Sequence, residues 1–215
     1  MTNAPDQRDL WIAQYGATPN AADRPSAFVE DCLARLPAGS RVLELGCGTG
    51  TDAATFARAG HTVVATDFVP AVIATGRERY ADLPGLTFEE MRIDAPFPFA
   101  DGAFDAVYAH LTLHYYPDQQ TREIFTEIRR VLVPAGFLMF ACKSPADPAW
   151  GKGIELEPDM FDFHGKVRHF FSADYARSLL ETGFVDIDIR EHRGKLYRQR
   201  SGWITAIARR PESTT

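Results

Sequence analysis

The chain has 215 residues, of which 45% are hydrophobic and 24% are charged. This length suits one domain with a well-buried core, and the composition is that of a globular protein rather than a disordered one. The formal net charge is −6, and the Lys and Arg residues are scattered, so the basic stripe that nucleic acid binding needs is absent. We predict a single domain over residues 1–215 that binds no nucleic acid.

Membranes, disulfides and metals are not expected either. No apolar run is long enough to cross a bilayer, and the first residues are polar rather than typical of a signal peptide. Cys32, Cys47 and Cys142 are odd in number and form no CxxC pair, which argues against a disulfide framework and a zinc site. We therefore expect a cytoplasmic protein without a metal; whether it is a monomer or a homodimer stays open.

Strand-like and helix-like runs alternate along most of the chain. The predicted strands are 41–45, 61–66, 86–91, 104–109 and 137–142, and the predicted helices between them are 52–59, 69–81 and 118–132. Such alternation is typical of parallel βαβ units that form a sheet covered by helices on both faces.

The end of the chain departs from this alternation. A predicted helix at 173–181 is followed by two strand-like runs, 185–191 and 203–209, with no room for a helix between them. Two such strands should pair as an antiparallel hairpin. The predicted fold is therefore an α/β, doubly wound, Rossmann-like sheet of seven strands, mostly parallel, with an antiparallel C-terminal strand.

A glycine-rich loop follows the first predicted strand, in the segment Glu44-Leu45-Gly46-Cys47-Gly48-Thr49-Gly50. Glycines at alternate positions allow a sharp turn and a close approach of the backbone to a ligand. A dinucleotide fingerprint would need GxGxxG, and here the third glycine comes one residue early. Because Glu44 would repel a pyrophosphate and attract an ammonium group, the loop favours a cationic or zwitterionic ligand.

Two further carboxylates follow the next strands. Asp67 ends the second strand about 20 residues after the glycine loop, where the doubly wound fold places an acid on ribose hydroxyls. Asp94 follows the third strand, and both should reach the same carboxyl edge of the sheet. Two simpler interpretations stay open: Asp67 as a helix N-cap and Asp94 as a turn residue.

The glycine loop, Asp67, Asp94 and the segment Phe104-Asp105-Ala106-Val107 together resemble the successive motifs of the class I S-adenosylmethionine-dependent methyltransferases. The resemblance extends from about Arg41 to Arg209. It implies that the last strand is inserted antiparallel between strands five and six. It also implies S-adenosylmethionine as cofactor and S-adenosylhomocysteine as product.

The resemblance also implies the contacts of the cofactor. The loop residues Gly46, Cys47, Gly48 and Gly50 would border its amino-acid part and ribose. Glu44 would place the amino group and Asp67 would hold the ribose hydroxyls. The adenine would lie beside Phe68, with Asp94 accepting from its amino group and the backbone of Ala95 donating to it. His110, or Leu111 after it, would face the sulfonium end.

Methyl transfer from a sulfonium is a displacement that positioning and exclusion of water can largely accelerate. A base helps only where the acceptor must lose a proton. His110 and His114 are the candidate catalytic residues, His110 chiefly as a contact and His114 as an acceptor-side contact or base. Their spacing would allow a metal only if that stretch were helical and a third ligand existed.

The acceptor is predicted to be a small molecule. The segment after the fourth strand, His110-Leu111-Thr112-Leu113, lacks the [DN]-P-P-[YF] pattern of enzymes that methylate bases. A long connection at residues 143–172 is predicted to form a lid, with Trp150 and His169 as acceptor contacts. Residues 1–40 are predicted to form cap helices that contribute Tyr15.

Two other functions stay open at this point. One is a module that binds S-adenosylmethionine without turnover, and the other is an NAD-dependent oxidoreductase. The early third glycine and Glu44 weigh against the oxidoreductase.

Overall fold

A computed structural model describes residues 7–17, 24–196 and 199–212. The strands in chain order are β1 (Arg41–Leu45), β2 (Thr62–Asp67), β3 (Leu86–Glu90), β4 (Phe104–His110), β5 (Leu132–Lys143), β6 (Ile154–Glu157), β7 (Met160–Phe163), β8 (Lys166–His169), β9 (Val185–Leu196) and β10 (Gln199–Arg209). The α-helices are α1 (Arg8–Ala17), α2 (Ala27–Leu33), α3 (Thr51–Arg58), α4 (Pro70–Arg79), α5 (Asp118–Val131) and α6 (Ala173–Leu180), and a short 3₁₀ turn covers Leu113–Tyr115.

Seven strands form the main sheet in the order β3-β2-β1-β4-β5-β10-β9. The first five pair in parallel, and β10 runs antiparallel between β5 and β9, with Trp203 opposite Lys143. This confirms the predicted doubly wound fold and its inserted antiparallel C-terminal strand. The parallel order brings the carboxyl ends of β1, β2 and β4 to one edge of the sheet.

The core consists of two apolar layers, one on each face of this sheet. Neighbouring residues of a strand point to opposite faces, so Val42 and Leu43 belong to different layers, as do Ala106 and Val107. All four side chains are fully buried. The helices cover both faces; α5, for example, contributes the fully buried Ile128.

The predicted element boundaries hold within one or two residues for most elements, but β5 begins at residue 132 rather than 137. The extra residues include Ala135, which adopts a positive φ of 63°, and the pairing of β4 with β5 shifts register between Phe104 and Ala106. An irregular strand start of this kind carries no apolar alternation that a sequence pattern could reveal. Strands β9 and β10 are likewise longer than predicted.

The predicted long connection at residues 143–172 contains regular structure that was not predicted from the sequence. Strands β6, β7 and β8 form a separate antiparallel sheet, and each has only four residues. The amide side chain of Gln7 pairs with this sheet: its Nε2 donates to the Val167 carbonyl at 3.1 Å and its Oε1 accepts from the Val167 N–H at 2.8 Å. The N-terminal segment is thereby attached to the small sheet.

Candidate functional site

The loop after β1 turns at three glycines that all have positive φ: 67° at Gly46, 54° at Gly48 and 81° at Gly50. A side chain strains the backbone in this region. The N–H of Gly50 donates to the Cys47 carbonyl at 3.0 Å, and helix α3 begins directly afterwards. The loop is therefore closed by its own backbone hydrogen bond and leads directly into α3.

The three glycines differ in what lies beside them. A Cβ on Gly46 would overlap the side chain of Thr112, and one on Gly50 would overlap the ring of Phe88. A Cβ on Gly48 would meet no atom of the described part of the chain within 4 Å. Two of the glycines are thus needed for packing within the protein, and open space begins at Gly48.

Glu44 is a buried carboxylate at the end of β1, with a relative exposure of 3%. It accepts a hydrogen bond from the backbone of Ala53, while its Oε2 has no partner among the described residues. Burial and the nearby Asp52 and Asp67 carboxylates raise the pKa of Glu44 well above its usual value. A cationic group brought to Oε2 would supply the missing hydrogen bond and offset the repulsion between Glu44 and the Asp52 and Asp67 carboxylates.

Asp67 joins the end of β2 to the glycine loop. Its Oδ2 accepts from the Gly48 N–H at 3.0 Å, and its Oδ1 accepts from the Val69 N–H at 3.0 Å. Burial raises the pKa of Asp67 above its usual value. The bond to Val69 lies at the start of α4, so Asp67 also shapes this turn, and each oxygen retains a lone pair for a further donor. Phe68 follows it, partly buried.

Asp94 lies beyond β3 and forms a two-pronged ion pair with Arg92, at 3.0 Å from Nε to Oδ1 and 2.7 Å from Nη2 to Oδ2. The Arg92 guanidinium lowers the pKa of Asp94. Ala95 follows in a bend and is partly buried. Sequence reasoning missed Arg92, although its position two residues before Asp94 is visible in the sequence. Any ligand bound by Asp94 would share the carboxylate with this guanidinium.

The two candidate catalytic histidines differ in surroundings. His110 ends β4, and its ring lies parallel to Tyr108, 6.5 Å away between centroids. Burial lowers the pKa of His110 below its usual value. His114 lies in the 3₁₀ turn and is 1% exposed.

His114 has one nitrogen engaged and one without a partner. Its Nδ1 accepts from the Lys143 backbone N–H at 3.4 Å, and its buried Nε2 has no partner among the described residues. Burial, Arg168 and Lys143 lower the pKa of His114 well below its usual value. With Nδ1 accepting this bond, a neutral ring would carry its proton on Nε2.

The predicted acceptor contacts Tyr15, Trp150 and His169 lie in three different settings. Tyr15, on α1, stacks on Trp11 with centroids 5.6 Å apart; burial, Tyr115 and Asp67 raise its pKa, which places it on the side of the glycine loop. His169 is buried against Tyr175. Trp150 is 46% exposed and donates from Nε1 to Asp159 at 2.8 Å.

Sequence reasoning missed the contacts that join α1, the 3₁₀ turn and β8. The Trp11 ring meets Tyr115 edge-on at 4.9 Å, and the Lys166 ammonium lies 4.3 Å from the Trp11 ring centroid. Arg168 lies 6.0 Å from the Tyr115 ring centroid. These contacts join segments far apart in sequence, and no local pattern indicates them.

Across the described ranges, no group of three His, Cys, Asp or Glu side chains is arranged to hold a metal ion. Nor does any helix there have the length and apolarity needed to cross a membrane.

A doubly wound sheet with a glycine loop and acidic residues at its carboxyl edge defines an α/β enzyme of the nucleoside-cofactor-binding type. Residues 42–136 match the family model described as a methyltransferase domain. A demethylmenaquinone methyltransferase from Beutenbergia cavernae is 31% identical over 197 residues, covering 83% of this chain and 76% of the relative. The chain belongs to the class I S-adenosylmethionine-dependent methyltransferases.

Two solved structures share the fold. A methyltransferase from Methanosarcina mazei superposes with a TM-score of 0.73 at 19% identity, covering 88% of this chain and all of that one. Phosphoethanolamine N-methyltransferase 2 of Haemonchus contortus, in complex with phosphomonomethylethanolamine and S-adenosylhomocysteine, gives a TM-score of 0.72 at 17% identity, covering 96% and 59% of the two chains. At these identities the likeness concerns the fold alone.

Proposed function

We propose that this methyltransferase moves the methyl group of S-adenosylmethionine to an O, N or S atom of a small-molecule acceptor by in-line displacement. The observation that carries the proposal is Glu44, a buried carboxylate whose Oε2 has no partner among the residues that the structure describes, at the end of the strand that leads to the open space at Gly48. A zwitterionic amino-acid group is the part of the cofactor that such an oxygen suits.

The remaining cofactor contacts follow from the same strand ends. We propose that Asp67 holds the ribose while it keeps the Gly48 N–H in place. The adenine would lie among Phe68, Asp94 and Ala95. Gly46, Cys47 and Gly50 would shape the loop that faces the amino-acid part. When bound, the cofactor supplies a methyl group on a positively charged sulphur, which is a good leaving group.

The protein's own contribution is to orient the acceptor and exclude water. We propose that His110 lies at the methyl end and, when the acceptor must lose a proton, receives it, because burial favours its neutral form. His114 presents Nε2–H and would donate a hydrogen bond to the acceptor. Tyr15 would close the acceptor space on the side opposite these two histidines.

The segment 143–172 is proposed to be the lid of the acceptor space, with Trp150 at its outer part and His169 as an internal support. His169 is 3% exposed and packs on Phe171 as well as Tyr175, so it acts by holding the lid in place. Gln7, directly before α1, is attached to this lid through Val167. Together they form one cover over a single domain.

A small acceptor is supported by the acidic net charge of −6, which disfavours nucleic acid. It is also supported by the names of the relatives: one similar protein is called a demethylmenaquinone methyltransferase, and one structural neighbour was solved with phosphomonomethylethanolamine. We propose no metal, since displacement at a sulfonium needs none.

The test is a radiolabel partition experiment. The protein is incubated with methyl-labelled S-adenosylmethionine, pools of small phenols, amines, thiols and carboxylic acids, and total RNA and protein. We expect S-adenosylhomocysteine to form and the label to enter the small-molecule fraction, with Gly48→Val as an inactive control. Label in RNA or protein would overturn the small acceptor, and cofactor binding without turnover in every pool would favour a non-catalytic module.

A further inference from the structure

The small sheet carries an open groove with a volume of about 60 Å³ on one of its faces, outside the glycine loop. We call it the small-sheet groove; it is lined by Ala149, Lys152, Phe161, Phe163, Lys166, Arg168 and Phe170. Three aromatic rings and three cations thus line one concave surface.

The strand register explains why rings and cations share this face. In the antiparallel pair β7 and β8, Phe161 lies opposite Arg168 and Phe163 lies opposite Lys166. Residues directly opposite each other, and alternate residues along a strand, point to the same face. The alternation therefore places two rings beside two cations, and the arrangement follows from the backbone itself.

The cations of the groove are not neutralised by the protein. Lys152, Lys166 and Arg168 form no ion pair within residues 7–17, 24–196 and 199–212, whereas many other cations do, such as Lys143 with Asp147. The Nε of Arg168 is buried without a hydrogen-bond partner in the same ranges. Burial and the neighbouring Arg168 lower the pKa of Lys166. In a chain of net charge −6, this is a local excess of positive charge beside apolar rings.

The groove adjoins the proposed acceptor space through its two inner cations. Arg168 donates to the hydroxyl of Tyr115, the residue after His114. Lys166 lies over Trp11, and Trp11 stacks on Tyr15. A molecule in the groove would therefore be separated from His114 by Arg168 and Tyr115, and from Tyr15 by Lys166 and Trp11.

We propose that the small-sheet groove is a binding subsite for an amphipathic anion, with its apolar body on Phe161, Phe163 and Phe170 and its carboxylate, sulfonate or phosphate at Lys166 and Arg168. This inference rests on the proposed function, because it identifies the class of acceptor: a small aromatic or aliphatic acid. Lys152, at the outer rim, attracts the anion as it enters.

The test uses two fluorescent probes that share one body and differ in charge. 1-Anilinonaphthalene-8-sulfonate carries a sulfonate, and N-phenyl-1-naphthylamine lacks it. We expect the wild-type protein to bind the sulfonate probe about tenfold more tightly, a difference typical of a charge-assisted contact. The double variant Lys166→Gln/Arg168→Gln should reduce this preference to about twofold or less.

The matched control is Arg193→Gln/Lys195→Gln on strand β9, two exposed residues whose loss changes the net charge equally. It should keep the tenfold preference. Phe163→Ser, at a ring that is 44% exposed, should weaken both probes and leave their ratio unchanged. Equal binding of both probes by the wild type, or an equal loss of preference in the control, would overturn the proposal.

Two parallel measurements separate this proposal from the proposed function. Titration of the same proteins with S-adenosylhomocysteine reports the cofactor site, which the groove variants should leave unchanged. Cofactor binding without a charge preference among the probes overturns the groove alone, whereas a charge preference without cofactor binding overturns the proposed function alone. Binding to phosphatidylglycerol vesicles that displaces the sulfonate probe, and that the Lys166→Gln/Arg168→Gln variant loses, would assign the charged surface to a membrane and overturn the small-ligand proposal.

Discussion

Replacing Glu44 by Gln is the most discriminating change at the proposed cofactor site. Gln keeps the size of the side chain and removes its charge. In the free protein the ionised carboxylate is disfavoured by burial, Asp52 and Asp67, and Oε2 has no partner in the described structure. The variant should therefore fold as stably as the wild type, or more stably, while it binds S-adenosylmethionine less tightly.

The expected loss of affinity follows from one charged hydrogen bond. Such a bond contributes about 1.5 to 3 kcal/mol, which corresponds to roughly a 10- to 150-fold higher dissociation constant. The raised pKa adds a second signature. Because the ammonium group favours ionised Glu44, cofactor binding should release a proton, and wild-type affinity should rise with pH until the carboxyl of the free protein is fully ionised.

Titration calorimetry in two buffers of different ionisation enthalpy measures both quantities. The wild type should show proton release and tighter binding at higher pH, and Glu44→Gln should show neither. Thermal melts of the free proteins measure the effect on stability. Because the pKa of Glu44 is higher in the folded than in the unfolded state, the stability of the wild type should decline as the pH rises above the unfolded value of 4.5. The variant lacks this decline. Unchanged affinity and unchanged proton release in Glu44→Gln would refute the assignment of Glu44.

Three further predictions concern neighbouring residues. Asp67→Ala should weaken S-adenosylmethionine binding by about 1 to 3 kcal/mol through unpaired ribose hydroxyls and a loosened Gly48, measured by calorimetry; unchanged affinity would count against the ribose contact. Gly48→Val should abolish cofactor binding yet lower the free energy of unfolding by only about 1 to 2 kcal/mol. Gly46→Val should lower the free energy of unfolding further, because its side chain overlaps Thr112. A Gly48→Val protein less stable than Gly46→Val in chemical denaturation would contradict the loop geometry. Protonation of His114 is disfavoured in the folded state, so the stability of the wild type should fall as the pH drops below 6.5. In thermal melts below pH 6.5, His114→Gln should lose less stability than the wild type. An equally steep loss in the variant would show that another group causes the pH dependence.

The sheet could be predicted from the sequence because each strand is a short apolar run bounded by turn residues. The run 104–109 shows this: it follows a turn at residues 101–102 and precedes the predicted helix 118–132. The hairpin was predictable because 185–191 and 203–209 leave no room for a crossover. These signals are local, and the topology of a doubly wound sheet follows from their order.

The small sheet was not predictable in the same way. Strands of four residues such as Met160–Phe163 are too short to show a periodicity. The sheet that they form also bonds to a partner distant in sequence, since Gln7 lies 160 residues before Val167. The small-sheet groove depends on that pairing, so its charges appeared in the sequence only as scattered cations.

The glycine loop lies between these cases. Its position and its three glycines were visible, and the inference that a ligand approaches it stays a prediction. The different roles of the glycines were not visible, since the side chains of Thr112 and Phe88 that fill the space at Gly46 and Gly50 come from other loops and strands. The proton position on His114, in the 3₁₀ turn, likewise depends on Lys143, at the end of strand β5.

The most direct test of the central claim is a crystal structure of the protein with S-adenosylhomocysteine. The account predicts the amino group about 3 Å from Oε2 of Glu44, the ribose hydroxyls on Asp67 and the sulphur directed toward His110. A cofactor bound with its amino group away from Glu44, or with its sulphur facing away from both His110 and Tyr15, would contradict it.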